Sequence, residues 1–287
     1  AQLGMNYGIA NQTGKPDMAT ARKIVCTAWE GGIRCFDTAQ VYGDSERILG
    51  DIFSDLGISK EVHVITKADP HIDHTSKNEL ENALKKSLTT LRLERLYGLM
   101  LHRESSLDLI DEDLSDILRH FVEQGFVEHI GLSLYSPDKA LPALDQGIIS
   151  MLQVPANICD QRFYKTGLFE LAETKRAKIY IRSVFLQGLL LMGKEAITEN
   201  MKFAVNVIAK VEQLCQMFNL TKQELAICYI MQKYPRTFIV IGAETQEQLK
   251  NNINIWKYSK PASITTEVDK IFSDLDERIV NPTLWLH

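Results

Sequence analysis

The stretch MATARKIVCTAWEGGIRCFDTAQVYGDSERILGDIFSDL, residues 18–56, holds one full cycle of the pattern that decides the fold. Met18, Ala21, Val25 and Ala28 share one face of an amphipathic helix over residues 18–30, and Gly31-Gly32 end it. A short β-rich run, residues 33–37, then finishes on Asp37. A second helical pattern over residues 45–56 places Ile48, Leu49, Ile52 and Phe53 together and stops at Gly57.

The same alternation continues outward in both directions. Further β-rich runs fall at residues 62–67, 96–102, 130–133, 151–155, 179–183 and 238–241, and residues 3–7 read as the remnant of an earlier strand, which brings the count to eight. Helical patterns lie between them. Residues 76–91 open with a capping box, Ser76 and Glu79, and continue with Leu80, Leu84, Leu88 and Leu91. Residues 111–124, 137–145, 168–175, 201–218 with 222–233, and 245–255 complete the set. Strands alternating with helices imply a parallel sheet built by crossover helices. A doubly wound open sheet alternates in the same way, but its GxGxxG turn is absent, and the eightfold count favours a (β/α)8 TIM barrel. The length of 287 residues suits one such barrel, and no low-complexity linker interrupts it, so residues 1–287 read as a single domain.

Apolar residues at 45% and charged residues at 24% make an ordinary globular balance, and a net charge of −5 gives no reason to expect a nucleic-acid or anionic-membrane partner. The five cysteines (Cys26, Cys35, Cys159, Cys215, Cys228) show no CxxC spacing, which argues against a disulfide framework or a zinc site and for a reducing, cytoplasmic setting. No run of apolar residues is long enough for a membrane span, and no signal peptide is visible.

In a parallel barrel, reactive groups sit where strands give way to loops. Asp37, Lys67 and His102 each end a β-rich run, and Tyr42 follows Asp37 by five residues. One such residue is usually a solvated rim or structural group; the conjunction is what points to chemistry. Carbonyl reduction needs a hydride and a proton for the developing alkoxide. A phenol, with a pKa near 10, is a reluctant acid until a neighbouring ammonium favours its ionised form. Lys67 is placed to supply that charge, Asp37 to hold Lys67, and His102 to orient the substrate oxygen.

At this point the chain resembles the aldo-keto reductase superfamily. GIRCFDTAQVYGDSERILG, residues 32–50, matches the pattern GI..DTA..YG.SE..LG, and the likeness extends to Asn252. The resemblance makes Asp37, Tyr42, Lys67 and His102 the catalytic tetrad, with Tyr42 the proton donor or acceptor. It implies an NAD(P)-dependent oxidoreductase that reduces an aldehyde or ketone, or oxidises a sugar or alcohol. It further implies that Ser133 and Gln153 hold the nicotinamide carboxamide, with Leu134 standing where relatives have Asn. Arg182 stands where many relatives stack a Tyr on the ring, and its guanidinium plane is expected to bind the cofactor there by stacking in turn. Ser183, Phe185, Gln187 and Gly188 fall in the family's pyrophosphate loop. Gly242, Glu244, Thr245, Gln248 and Asn252 fall at the adenosine end. NADP-preferring relatives place Lys or Arg there; Glu244 repels a 2′-phosphate but accepts hydrogen bonds from ribose hydroxyls, so NAD is expected to serve at least as well as NADP. Thr245 and Gln248 equally have the spacing of a helix cap. Relatives begin with a β-hairpin across the barrel floor and an Leu-Gly-Thr in the first strand. This chain starts at Ala1-Gln2-Leu3-Gly4, so the barrel is expected without that hairpin.

Two other functions fit the same residues: a non-catalytic, nicotinamide-binding regulatory subunit, and a Schiff-base aldolase using Lys67, against which pairing with Asp37 argues. No metal is expected; Asp69, His71, Asp73 and His74 read as a loop at the substrate mouth. Trp29 and Trp256 read as packing residues. Trp285 reads either as a cover for the site rim or as ordinary tail. The small-molecule substrate and the oligomeric state are not encoded in any motif.

Overall fold

The computed structural model describes residues 1–11, 13–258, 263–273 and 275–285. Seven parallel strands form one curled sheet in the order β1 (Cys35–Asp37), β2 (His63–Ala68), β3 (Leu96–Leu101), β4 (Val127–Ser133), β5 (Met151–Pro155), β6 (Lys178–Arg182) and β7 (Phe238–Ile239). Each strand pairs with the next in sequence, with Asp37 opposite Ile65, Lys67 opposite Met100 and Gln153 opposite Tyr180. The helices α1 (Met18–Glu30), α2 (Ser45–Leu56), α3 (Lys77–Leu91), α4 (Glu112–Glu123), α5 (Ala140–Asp145), α6 (Leu168–Lys175), α7 (Val205–Phe218), α8 (Lys222–Lys233) and α9 (Gln246–Tyr258) connect or follow these strands. The chain then closes with α10 (Thr265–Ile271) and α11 (Glu277–Val280). The fold is that of a (β/α)8 barrel with seven of its strands formed.

The expected first strand, residues 3–7, is a correction. These residues are turn and coil: Gly4 and Met5 donate their backbone N–H groups to the Ala1 carbonyl at 3.0 and 3.2 Å. Close packing holds this turn in the gap between β7 and β1. A side chain on Gly4 would lie 1.8 Å from the Tyr42 carbonyl oxygen, and one on Gly242 would meet the Gln2 amide at 1.9 Å. Local chemistry sets the helix ends. Asp17 caps α1 by accepting from Thr20 N–H at 2.7 Å, and Gly57 ends α2 with a left-handed φ of 69° that glycine adopts without a Cβ penalty. Only half of the expected box at Ser76 forms, because Glu79 accepts from Asp73 N–H instead. The box that is complete is Thr221–Glu224, at the start of α8.

Inside the barrel, Ile65, Met100, Met151 and Tyr180 make an apolar layer, with Cys35 and Val240 against it. Met151 fills the space left by two glycines: a Cβ on Gly131 would lie 2.4 Å from Met151 Cγ, and one on Gly98 would lie 2.8 Å from its sulfur. Side chains alternate along a strand, so the inward residue two positions on from each member of this layer forms a second layer at the strands' C-terminal ends. Those residues are Asp37, Lys67, His102, Ser133, Gln153, Arg182 and Gly242. An apolar plug thus supports a polar ring, and this ring is where the sequence placed its chemistry.

Trp29 packs at the edge of the core, as expected, with the Arg34 guanidinium 3.6 Å from its ring centroid. Trp256 does not pack as expected: it is 46% exposed. Trp285 is buried, donates to the Arg278 carbonyl, and lines a small apolar cavity with Ile9, Leu189, Met192, Ile197 and Met201. Among the described residues no helix is long and apolar enough to cross a membrane.

Candidate active site

Lys67 lies at the centre of the ring and is 1% exposed. Its ammonium donates to both Asp37 oxygens at 2.8 Å and to the Thr38 carbonyl at 2.9 Å, which accounts for its three protons. Gln153 donates to the same Asp37 at 2.7 Å, linking β5 to β1 across the barrel mouth. The Tyr42 ring meets the His102 ring edge-on, with centroids 5.7 Å apart, and the Lys67 ammonium lies 5.1 Å from the Tyr42 centroid. The four residues that the sequence nominated therefore converge.

The loop carrying Tyr42 is fixed from behind. Thr38 donates its hydroxyl to Ser45 at 2.9 Å. The buried Glu46 carboxylate accepts from Thr66, the neighbour of Lys67, at 2.7 Å and from Ser87 at 2.8 Å. Gln40 reaches the Ala83 carbonyl, the Ser87 hydroxyl and Asp69 N–H. The sequence reading passed over Glu46 and Gln40; their signal was a polar pair inside an otherwise apolar helix–strand contact.

The electrostatics differ from the sequence expectation at one point. Tyr42 is not eased toward ionisation: burial pushes its phenol up, the Asp37 charge adds to that, and the Arg182 charge opposes it. Lys67 is held at contact distance by Asp37, and of this pair it is the Asp37 charge that acts on the phenol. Burial also lowers Lys67, against the opposing pull of Asp37. His102 is lowered to about 4, by burial first and by the Lys67 charge second, so its imidazole is neutral at pH 7. Its Nδ1 is buried and has no hydrogen-bond partner among the described residues.

Ser133 and Gln153 are both buried in the ring, at the ends of β4 and β5. Arg182 ends β6, donating to the Leu134 carbonyl at 3.0 Å and the Ser183 hydroxyl at 3.2 Å, with its guanidinium 3.9 Å from the Tyr135 ring centroid. The loop beyond it is strained: Ser183, Leu186 and Gln187 have φ of 62°, 49° and 54°, a conformation costing ~1–2 kcal/mol per side-chain-bearing residue. Gly188, at φ 93°, takes this region freely. The Phe185 carbonyl accepts from Gly188 N–H at 2.9 Å, and Asn157 tethers the Ser183 carbonyl at 3.0 Å. Strain of this kind persists where the surroundings over-determine it, as ligand loops commonly do.

At the far end, Thr245 and Gln248 form the helix cap: the Gln248 side chain accepts from Glu244 and Thr245 N–H while Thr245 accepts from Gln248 N–H. Glu244 is half-buried, and burial raises its carboxyl. Asn252 is buried, with an Oδ1 that has no hydrogen-bond partner among the described residues. The N-terminal segment joins the two ends. Ile9 donates to the Gln187 carbonyl at 3.0 Å, Ala10 lies against Gly188, and Thr13 reaches Glu244 at 3.4 Å. Tyr7 and Tyr135, neither singled out from sequence, stand 37% and 41% exposed at the mouth.

The loop after β2 is held by its own hydrogen bonds. His74 is buried between the Ser106 hydroxyl at 3.0 Å and the Asp69 carbonyl at 2.9 Å, and among the described residues no group of three His, Cys, Asp or Glu side chains is arranged to hold a metal.

Comparison with known proteins gives this geometry its family. The model of the "Aldo/keto reductase family" matches residues 3–272. The chain belongs to the aldo/keto reductase family. A methylglyoxal reductase of Salmonella typhi, DkgB, is 31% identical over 153 residues, covering 52% of this chain and 55% of that protein, so the matched region spans about half of either. An uncharacterized oxidoreductase of Bacillus subtilis, YqkF, is 24% identical over 254 residues, 81% of each chain. Among solved structures, an aldo-keto reductase of Bacillus halodurans in its holo form superposes with a TM-score of 0.76 at 17% identity, over 94% of this chain and 96% of that one. That likeness concerns the fold.

Proposed function

We propose that this aldo/keto reductase family member is an NAD(P)-dependent oxidoreductase that interconverts a carbonyl and an alcohol, with Tyr42 as the proton donor or acceptor. The observation that carries the reading is the convergence of Tyr42, His102, Lys67 and Asp37 in one ring at the strand ends.

A dinucleotide fits the residues present. The buried Asn252 Oδ1, without a partner among the described residues, at one end and the left-handed loop at residues 183–188 in the middle are features that a ligand would complete, and the buried Ser133 and Gln153 side chains lie at the other end. Ser133 and Gln153 would hold the nicotinamide carboxamide, Ser183, Phe185, Gln187 and Gly188 the pyrophosphate, and Gly242, Glu244, Thr245, Gln248 and Asn252 the adenosine. The cofactor, when bound, supplies or accepts a hydride at the substrate's carbonyl carbon. This chain's residues handle the oxygen. A neutral His102 offers a ring N–H to orient it, and the Tyr42 hydroxyl delivers a proton as charge builds there. The Asp37–Lys67 pair, buried and locked by Gln153, fixes the geometry so that little reorganisation is needed.

The test is turnover. NADH mixed with 4-nitrobenzaldehyde should lose absorbance in the presence of the protein, and Tyr42→Phe should slow this by ~10²–10⁴-fold while leaving NADH binding intact. A mutant as fast as its parent removes Tyr42 from the role. Cofactor binding without turnover on a broad panel of carbonyls and sugars would instead identify a regulatory cofactor-binding subunit.

A further inference from the structure

The polar ring carries an unbalanced charge. Asp37 and Lys67 cancel at 2.8 Å, His102 is neutral at pH 7, and Ser133 and Gln153 carry no charge. Arg182 remains. Its hydrogen-bond partners, the Leu134 carbonyl and the Ser183 hydroxyl, are both neutral, and among the described residues it has no carboxylate in ion-pair contact. Of its five N–H donors these two bonds engage two. A half-buried guanidinium left without a counter-ion is costly unless an anion arrives to complete it.

The surroundings show which side that anion enters from. Arg182 lies two positions beyond Tyr180 on β6, so it points inward with the tetrad, and its charge reaches Tyr7, Tyr42, Lys67 and His102. One face of the guanidinium rests on Tyr135, whose ring is exposed at the mouth. Tyr135 is not a loose surface group. Glu104, two residues after His102, accepts from Tyr135 N–H at 2.7 Å, Ser136 N–H at 2.8 Å and the Ser136 hydroxyl at 2.7 Å. Burial acts to raise the Glu104 carboxyl, but these bonds together outweigh it and hold the group below its ordinary range. The same carboxylate therefore ties the wall bearing Tyr135 to the strand end bearing His102. The result is a flat, anchored aromatic wall beside an uncompensated fork of donors, open to solvent and adjoining the proton donor.

We propose that Arg182, seated on Tyr135, is a specificity-determining subsite for an anionic group, a carboxylate or phosphate, carried by the carbonyl substrate. The proposal rests on the oxidoreductase reading of the tetrad but can be tested apart from it. The guanidinium binds the anion by a charge-assisted, bidentate contact, and Tyr135 keeps the fork from turning away.

The experiment compares matched pairs: 4-carboxybenzaldehyde against its neutral isostere 4-formylbenzamide, and glyceraldehyde 3-phosphate against glyceraldehyde. Binding of each is first titrated into the protein with NAD⁺ present, where no hydride can be delivered to the aldehyde, so the subsite is read whether or not the protein turns over. The anionic member of at least one pair should bind tenfold or more tighter. With NAD⁺ saturating, Arg182→Met should bring that ratio to within twofold by weakening the anionic ligand; Tyr135→Leu, outside the tetrad and the cofactor positions, should reduce the ratio while changing the neutral ligand and NADH affinities by less than threefold; Arg182→Lys, keeping a point charge, should retain part of the preference. The better pair tells carboxylate from phosphate. Equal affinity within both pairs, or an Arg182→Met protein that loses both members or NADH alike, overturns the proposal and makes Arg182 a cofactor or structural contact. Absent reduction with NADH despite a preserved charge preference overturns the oxidoreductase reading instead and leaves the subsite standing.

Discussion

The two halves of the ring above the barrel's apolar plug use charge in opposite ways. On the β1–β2 side, Lys67 and Asp37 satisfy each other, with Gln153 and the Thr38 carbonyl completing the set. On the β4–β6 side, Arg182 lies on Tyr135 with only neutral partners. The first half is an internally paired structure beside Tyr42 with no charge left over for a ligand. The second is unfinished and gains most when a ligand arrives. The difference bears on Tyr42, the proposed proton donor. Of the charges felt at the Tyr42 phenol, Arg182 has the sign that favours ionisation and Asp37 the sign that opposes it.

The most severe way to break this contrast is to spoil the finished half. Lys67→Met leaves the Asp37 carboxylate without its cation, and removing one partner of a buried pair costs ~3–5 kcal/mol. Urea unfolding at pH 7 should report a loss of that size; a loss below ~1 kcal/mol would mean that the pair does not bear on the fold.

A smaller effect comes from His102. Its folded value of about 4 lies below the 6.5 of an exposed imidazole, so between those values the unfolded chain binds a proton that the folded one refuses. Stability is therefore lost as pH falls from 6.5 toward 4, by up to ~3 kcal/mol from this residue. His102→Gln, which cannot charge, should show a shallower decline over that window than the parent in unfolding curves at pH 7 and pH 4.5. Identical slopes would show that His102 is not held neutral by burial.

The smallest expected effect lies at the far end of the groove. If Glu244 disfavours a 2′-phosphate, Glu244→Lys should raise kcat/KM for NADPH relative to NADH about tenfold, ~1.4 kcal/mol. A parent enzyme preferring NADP by a hundredfold would contradict the NAD expectation directly.

Much of this arrangement was legible in the chain. The helix and strand periods gave residues 18–30, 45–56, 168–175 and 222–233 the bounds they have in the structure, and the strand ends named Asp37, Lys67 and His102. Three things were not legible. Residues 3–7 have the composition of a strand, yet Gly4 and Gly43 bring the backbone against the Tyr42 loop and a turn forms. The Ser76–Glu79 spacing was right, yet Asp73 competed successfully for the Glu79 carboxylate. The field at Tyr42 depends on which charges cancel, and that is a matter of contact distances between strands. Residue types cannot supply it. Tyr135 and Glu104 were missed for the same reason: their bond joins two loops 31 positions apart in the chain.

The most direct test of the central claim follows the atom that moves. NADH dideuterated at C4, so that either face delivers label, is given to the protein with 4-nitrobenzaldehyde, and the alcohol is read by mass spectrometry for label at its carbinol carbon, in the parent and in Tyr42→Phe. The parent should give one deuterium per alcohol, and the mutant should form product ~10²–10⁴-fold more slowly. Alcohol without label, or label appearing equally fast in the mutant, would contradict it.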